Sequence, residues 1–134
     1  MKSLLQKTLD QIEDDAARLS QAACCHAGRI AEMEALINTL NAHGAKISEQ
    51  IPIIYQHIPP DRDEAVNTTI RIWSRHAEVR DALYSAGLRF HERAGEWAGK
   101  KPTFLAIDGL DTEIAMIDEP DYRTSEMFAA KEAA

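Results

Sequence analysis

The sequence predicts a mainly α-helical protein. Two long antiparallel helices form a coiled-coil-like helical hairpin that dimerises to a four-helix bundle, with a small C-terminal hairpin or arm. Three observations predict this. Leu5, Ile12, Leu19, His26, Met33, Leu40 and Ile47 recur every seven residues, and Leu9, Ala16, Ala23, Ile30 and Ile37 run beside them. Alternating steps of four and three make the seam of a helix that lies along other helices. A second apolar pattern of helical spacing follows a proline-rich break, between Asp61 and Ala98.

The first helix is expected over about residues 3–43. It holds few breakers, and Gly28 is the residue within it that most disfavours helix. Gly44 suits a left-handed C-terminal cap. The hinge, 44–60, contains Pro52 and the pair Pro59-Pro60, each of which interrupts a helix running through it. Ile51, Ile53, Ile54, Tyr55 and Ile58 are too apolar for a solvated linker. One short turn starting at Pro52 would fold them over the bundle end.

The second helix is expected over about 61–98. Asp61 with Glu64 three positions on is an Asp version of the capping box. Val66, Ile70, Trp73, Ala77 and Tyr84 form one stripe, and Ile72, Val79, Leu83, Phe90 and Trp97 another. Gly87 and Gly95 cost about 1 kcal/mol each in a helix interior, so a close backbone approach or a local kink is expected there. The bundle seam then comprises Leu5, Leu9, Ile12, Leu19, Ile30, Met33, Ile37, Leu40, Trp73, Leu83, Phe90 and Trp97. Residues 1–102 make the hairpin. Residues 103–134 make an acidic arm, where Asp108-Gly109 between two apolar runs signals a β-hairpin over 103–117. Leu110, Ile114 and Ile117 also fit one helical face, and a short terminal helix anchored by Met127 and Phe128 follows.

Charge narrows the function. The chain has 134 residues and a net charge of −7. Residues 1–50 carry −2, residues 51–102 carry +1 and residues 103–134 carry −6. Direct nucleic-acid binding is disfavoured, because it needs a dominant basic surface. Asp108, Asp111, Glu113, Asp118, Glu119, Asp121 and Tyr122 are therefore the candidate partner-binding residues. They mix carboxylates that steer a basic partner with an aromatic anchor. Arg71, Arg75, Arg80, Arg89 and Arg93 are an intramolecular alternative for receiving that acidic segment.

Chemistry is not signalled. Cys24, Cys25 and His26 are consecutive on a helix and fan out by about 100° each, so they do not converge on one ion. No Glu-x-x-His pair and no glycine-rich phosphate loop occurs. No catalytic residue, cofactor or metal is expected. The N-terminus lacks a secretory apolar region, no run is long enough to cross a bilayer, and adjacent thiols suit a reducing compartment, so a cytoplasmic location is expected. The reading is a non-enzymatic interaction protein, an adaptor or inhibitor. It would present its acidic C-terminal surface to a basic partner such as a nucleic-acid-processing enzyme, as a homodimer. The alternative is a structural or assembly subunit.

Overall fold

Helix formation begins where the periodicity places it, but the long helix breaks. The computed structural model describes residues 1–118. Helix α1 spans Leu4–Cys25, and Ser3 caps it by accepting a hydrogen bond from the Gln6 backbone N–H at 3.1 Å. His26 leaves helical geometry (φ −115°, ψ 25°), and α2 resumes over Ala27–Ala42. The His26 ring explains the break. It is buried, and its Nε2–H donates to the Pro60 carbonyl at 3.1 Å, tying the kink to the following loop. Helix α2 ends at Gly44 (φ +91°), with Gly44 N–H on Asn41 O and Ala45 N–H on Leu40 O, a Schellman closure.

The second long helix does not form, and with it the mainly-α, coiled-coil and four-helix-bundle expectations fall. Among the described residues the chain is an α/β mixture of three helices, a two-stranded sheet and a four-stranded sheet. Strand β1 (Ile53–Ile54) pairs antiparallel with β2 (Val66–Asn67), and a 3₁₀ turn at Asp63–Ala65 leads into β2. Strand β3 is Ile70–Ile72, α3 is only His76–Ser85, β4 is Phe90–Ala94, β5 is Thr103–Ile107 and β6 is Glu113–Met116. The physical reason lies in the local residues. Asn67, Thr68 and Thr69 are poor helix formers, and Ile70-Arg71-Ile72 alternates with the period of a strand. Gly87 terminates α3 with φ +74°, Gly87 N–H bonding to Tyr84 O and Leu88 N–H to Leu83 O. A residue read as a helix-interior cost is a cap.

The four-stranded sheet has the order β3-β6-β5-β4, parallel between β3 and β6 and antiparallel elsewhere. Register alternation sends Ile70, Ile72, Ile114, Met116, Leu105 and Ile107 to one face. There they pack against Met33, Leu36 and Leu40 of α2 and Val79, Ala82 and Leu83 of α3. This two-layer core replaces the expected bundle interior. Glu32 of α2 locks the layers together, one carboxylate oxygen accepting from Asp111 N–H, Thr112 N–H and the Thr112 hydroxyl at 2.7–2.9 Å. A smaller cluster of Ala22, Ala65 and Val66, with Ile30, Ile54 and Ile58 beside it, joins the end of α1 to the β1–β2 ribbon.

Candidate functional site

The residues expected to form one seam are divided among several surroundings. Met33, Leu40 and Leu83 are buried in the main core, with Ile37 and Phe90 packed against it. Ile30 belongs to the ribbon cluster, and Trp97 covers Phe104, Ala115 and Ile117 on the second sheet face. Trp73 lies in the β3–α3 loop, half exposed, edge-on to Trp97 at 5.8 Å. Trp73, Leu83, Phe90 and Trp97 are thus not on one helix: a loop, a helix, a strand and a turn carry them in that order.

Leu5, Leu9 and Ile12 remain uncovered. They are 68%, 46% and 57% exposed, and neighbouring Leu4 is 80% exposed. The stripe meets the body only near the end of α1, where Leu19 and Ala23 are half-buried and Ala22 is 2% exposed. About four turns of α1 therefore extend past the last body contact as an arm. Local bonds hold it helical: Lys2 Nζ to Asp10 at 2.7 Å, Gln6 to Asp10 at 2.9 Å and Gln11 to Asp15 at 2.8 Å. The Lys2 ammonium, with the Gln6 amide second, holds the Asp10 carboxyl below its ordinary range. Such exposed bonds support the helix locally and do nothing to cover its apolar side.

The acidic run is distributed and largely engaged. Asp108, in the β5–β6 turn, contacts His91 Nε2 at 2.9 Å. Asp111, in the same connection, gives its backbone N–H to Glu32. Glu113 on β6 makes a bidentate pair with Arg93 of β4 at 2.8–3.1 Å, and Arg93 also lies 4.5 Å from the Phe104 ring centre. Asp118, beyond the other end of β6, takes Lys100 Nζ at 2.8 Å. At about 3.3 Å per strand residue, roughly 20 Å separates Asp111 from Asp118. Glu119, Asp121 and Tyr122 lie outside the described residues, as does the terminal helix expected at Met127 and Phe128. Of the arginines, Arg93 takes Glu113, Arg80 takes Glu92 at 2.8 Å and Arg71 bonds to Ile51 O at 2.9 Å.

The histidines and thiols are placed structurally. His76 is buried and its Nε2–H is shared between the carbonyls of Ile72 and Ile117 at 3.2 and 3.0 Å. His43 shares a hydrogen bond with Ser85 at 2.8 Å, linking α2 to α3. Cys24 and Cys25 are free and exposed. Among the described residues no group of three His, Cys, Asp or Glu side chains is placed to hold a metal ion, and no helix is long and apolar enough to cross a membrane.

Fold and surface together define an α/β body that holds out an amphipathic helix. No protein-family profile matches the chain, and comparison with curated proteins and with solved structures finds no match. The arm was hidden from sequence reasoning because the stripe is continuous through Leu40, and nothing in its spacing marks where cover stops. One usable signal is composition: Asp10, Glu13, Asp14 and Asp15 crowd the uncovered part, while α2 carries only Glu32 and Glu34 as acids.

Proposed function

We propose that the protein works by contact, as an assembly or adaptor protein that docks through the arm of α1. One observation carries this reading: Leu4, Leu5, Leu9 and Ile12 stand 46–80% exposed on a formed helix. Large contiguous apolar surface of this kind marks an interaction site. Covering it contributes on the order of 5 kcal/mol by apolar burial, comparable to the lower end of a domain's whole stability. Leu5, Leu9 and Ile12 follow the i, i+4, i+7 spacing by which a helix anchors in an apolar groove. Charge on the arm orients the approach and contributes less.

The acidic C-terminal surface has weaker support as the docking face, because Glu113 and Asp118 are already engaged by Arg93 and Lys100. The two surfaces respond differently to salt. Docking on carboxylates weakens as ionic strength rises, whereas apolar docking through α1 holds.

The test is a triple substitution, Leu5→Ser, Leu9→Ser and Ile12→Ser, followed by sedimentation analysis and thermal melting. The melting of the body is expected to stay put while association disappears. If the unchanged chain self-associates and the variant does so equally, the arm is not the docking element.

A further inference from the structure

A second uncovered apolar feature lies on the body itself. Ile30, Met33 and Ile37 of α2 face the segment Glu49–Pro52 across a groove of about 380 Å³. Ile51 at its rim is 78% exposed, an unusual position for a large aliphatic side chain. The groove is open, apolar along its floor and acidic at its margins, where Glu34 and Glu49 stand exposed.

We infer that this groove receives the α1 arm of a second copy of the chain, each copy giving its arm to the other. The inference rests on the reading of α1 as a docking arm and names what it docks into. Three features match. The arm offers three aliphatic side chains at helix-in-groove spacing, and the groove offers an aliphatic floor. Lys2 is turned back onto Asp10, which leaves exposed Lys7, between Leu5 and Leu9, as the arm's positive charge, and the groove margin carries Glu34 and Glu49. Opposite signs meet when Lys7 is brought to the Glu34 and Glu49 margin, with Asp10 and the acids after it turned away from the groove. Reciprocal exchange also repeats the contact by two-fold symmetry. A single helix in a groove falls short of the roughly 1,200 Å² that stable complexes bury, and two such contacts approach it.

The experiment is sedimentation velocity on the full chain from micromolar to hundreds of micromolar, with variants on both surfaces. The unchanged chain is expected to dimerise. Ile51→Ser is expected to weaken the dimer by about tenfold, since that side chain goes from exposed to covered on association. Lys7→Glu alone or Glu49→Lys alone is expected to weaken it by about fivefold, and the two together to restore it. Glu49 and Ile51 are exposed, so the body keeps its fold, which thermal melting verifies. A chain that stays monomeric throughout overturns the inference, whatever foreign protein then occupies the arm. A dimer that needs Leu9 and Ile12 but ignores Ile51→Ser and the charge exchange also overturns it, because the arms then pair with each other; the docking role of the arm survives that result. A dimer indifferent to Leu9→Ser with Ile12→Ser overturns both.

Discussion

Leu5 and Leu40 hold equivalent places in one seven-residue repeat, yet Leu40 is fully buried and Leu5 is 68% exposed. Leu40 has the sheet in front of it and α3 beside it. Leu5 has solvent. Periodicity thus states which side of a helix seeks cover without stating what gives it. Cover comes from elements far along the chain, and the sheet that meets α2 is assembled from residues 70–116. An uncovered helix and a core-forming helix therefore share one pattern.

Substitution separates the two halves most sharply. Leu40→Ala is expected to cost about 2–5 kcal/mol in urea unfolding, from lost burial plus the cavity left behind. Leu5→Ala is expected to stay within about 0.5 kcal/mol when measured at concentrations too low for association. Equal losses at both positions would erase the distinction between arm and body.

Glycine substitution makes the same comparison at smaller scale. A Cβ at Gly95 would run into the Phe104 ring on the sheet face, so Gly95→Ala is expected to destabilise by about 1–3 kcal/mol. At Gly28, in the first turn of α2, nothing lies within 4 Å. Gly28→Ala is expected to stabilise by up to about 1 kcal/mol through helix propensity alone. Thermal melts of the two variants should move in opposite directions.

Capping tests the arm by itself. Ser3→Ala removes the acceptor for the Gln6 N–H and is expected to cost about 1 kcal/mol of helix at the tip. Helicity by circular dichroism should fall while the melting of the body does not move. The smallest effect is titration of Asp10. Its carboxyl is held below its ordinary value in the helix, so the helical tip gains support above the unfolded-state value and loses it as pH falls through the depressed one. Backbone shifts of residues 2–10 by NMR should report that loss below the ordinary carboxylate range, with α2 unaffected.

Legibility followed the length scale of the signals. The stripe over residues 4–42 and the cap at Gly44 were readable, because a long repeat and a glycine at its end act locally. The kink was not, since His26 breaks the helix for the sake of a carbonyl 34 positions away. The helical expectation for 61–98 has a specific source. Val66, Ile70, Trp73 and Ala77 are spaced by four, three and four, which satisfies a helix. The same residues lie on a strand, its neighbour, a loop and α3. Asn67-Thr68-Thr69 and the alternation at Ile70-Arg71-Ile72 were the better guides. At Asp108-Gly109 the turn residues do mark the passage from β5 to β6. For the surface, Asp108, Glu113 and Asp118 stood out as a negative run. Their partners His91, Arg93 and Lys100 come from another hairpin arm, and pairing across strands is invisible in a linear charge count.

Gln50 closes one margin of the four-stranded sheet with a side chain. Its amide receives the Arg71 N–H at 2.8 Å and donates to the Arg71 carbonyl at 3.2 Å, which is the bonding a further strand would supply. Lateral growth into cross-β polymers at β3 therefore requires that amide to be evicted first. At the opposite margin no side chain among the described residues plugs β4 in this way, but Glu92 and Arg93 set charge along it. Both flanks of the sheet are thus guarded against strand-to-strand recruitment, while the one large uncovered apolar surface of the described residues at the N-terminus is helical.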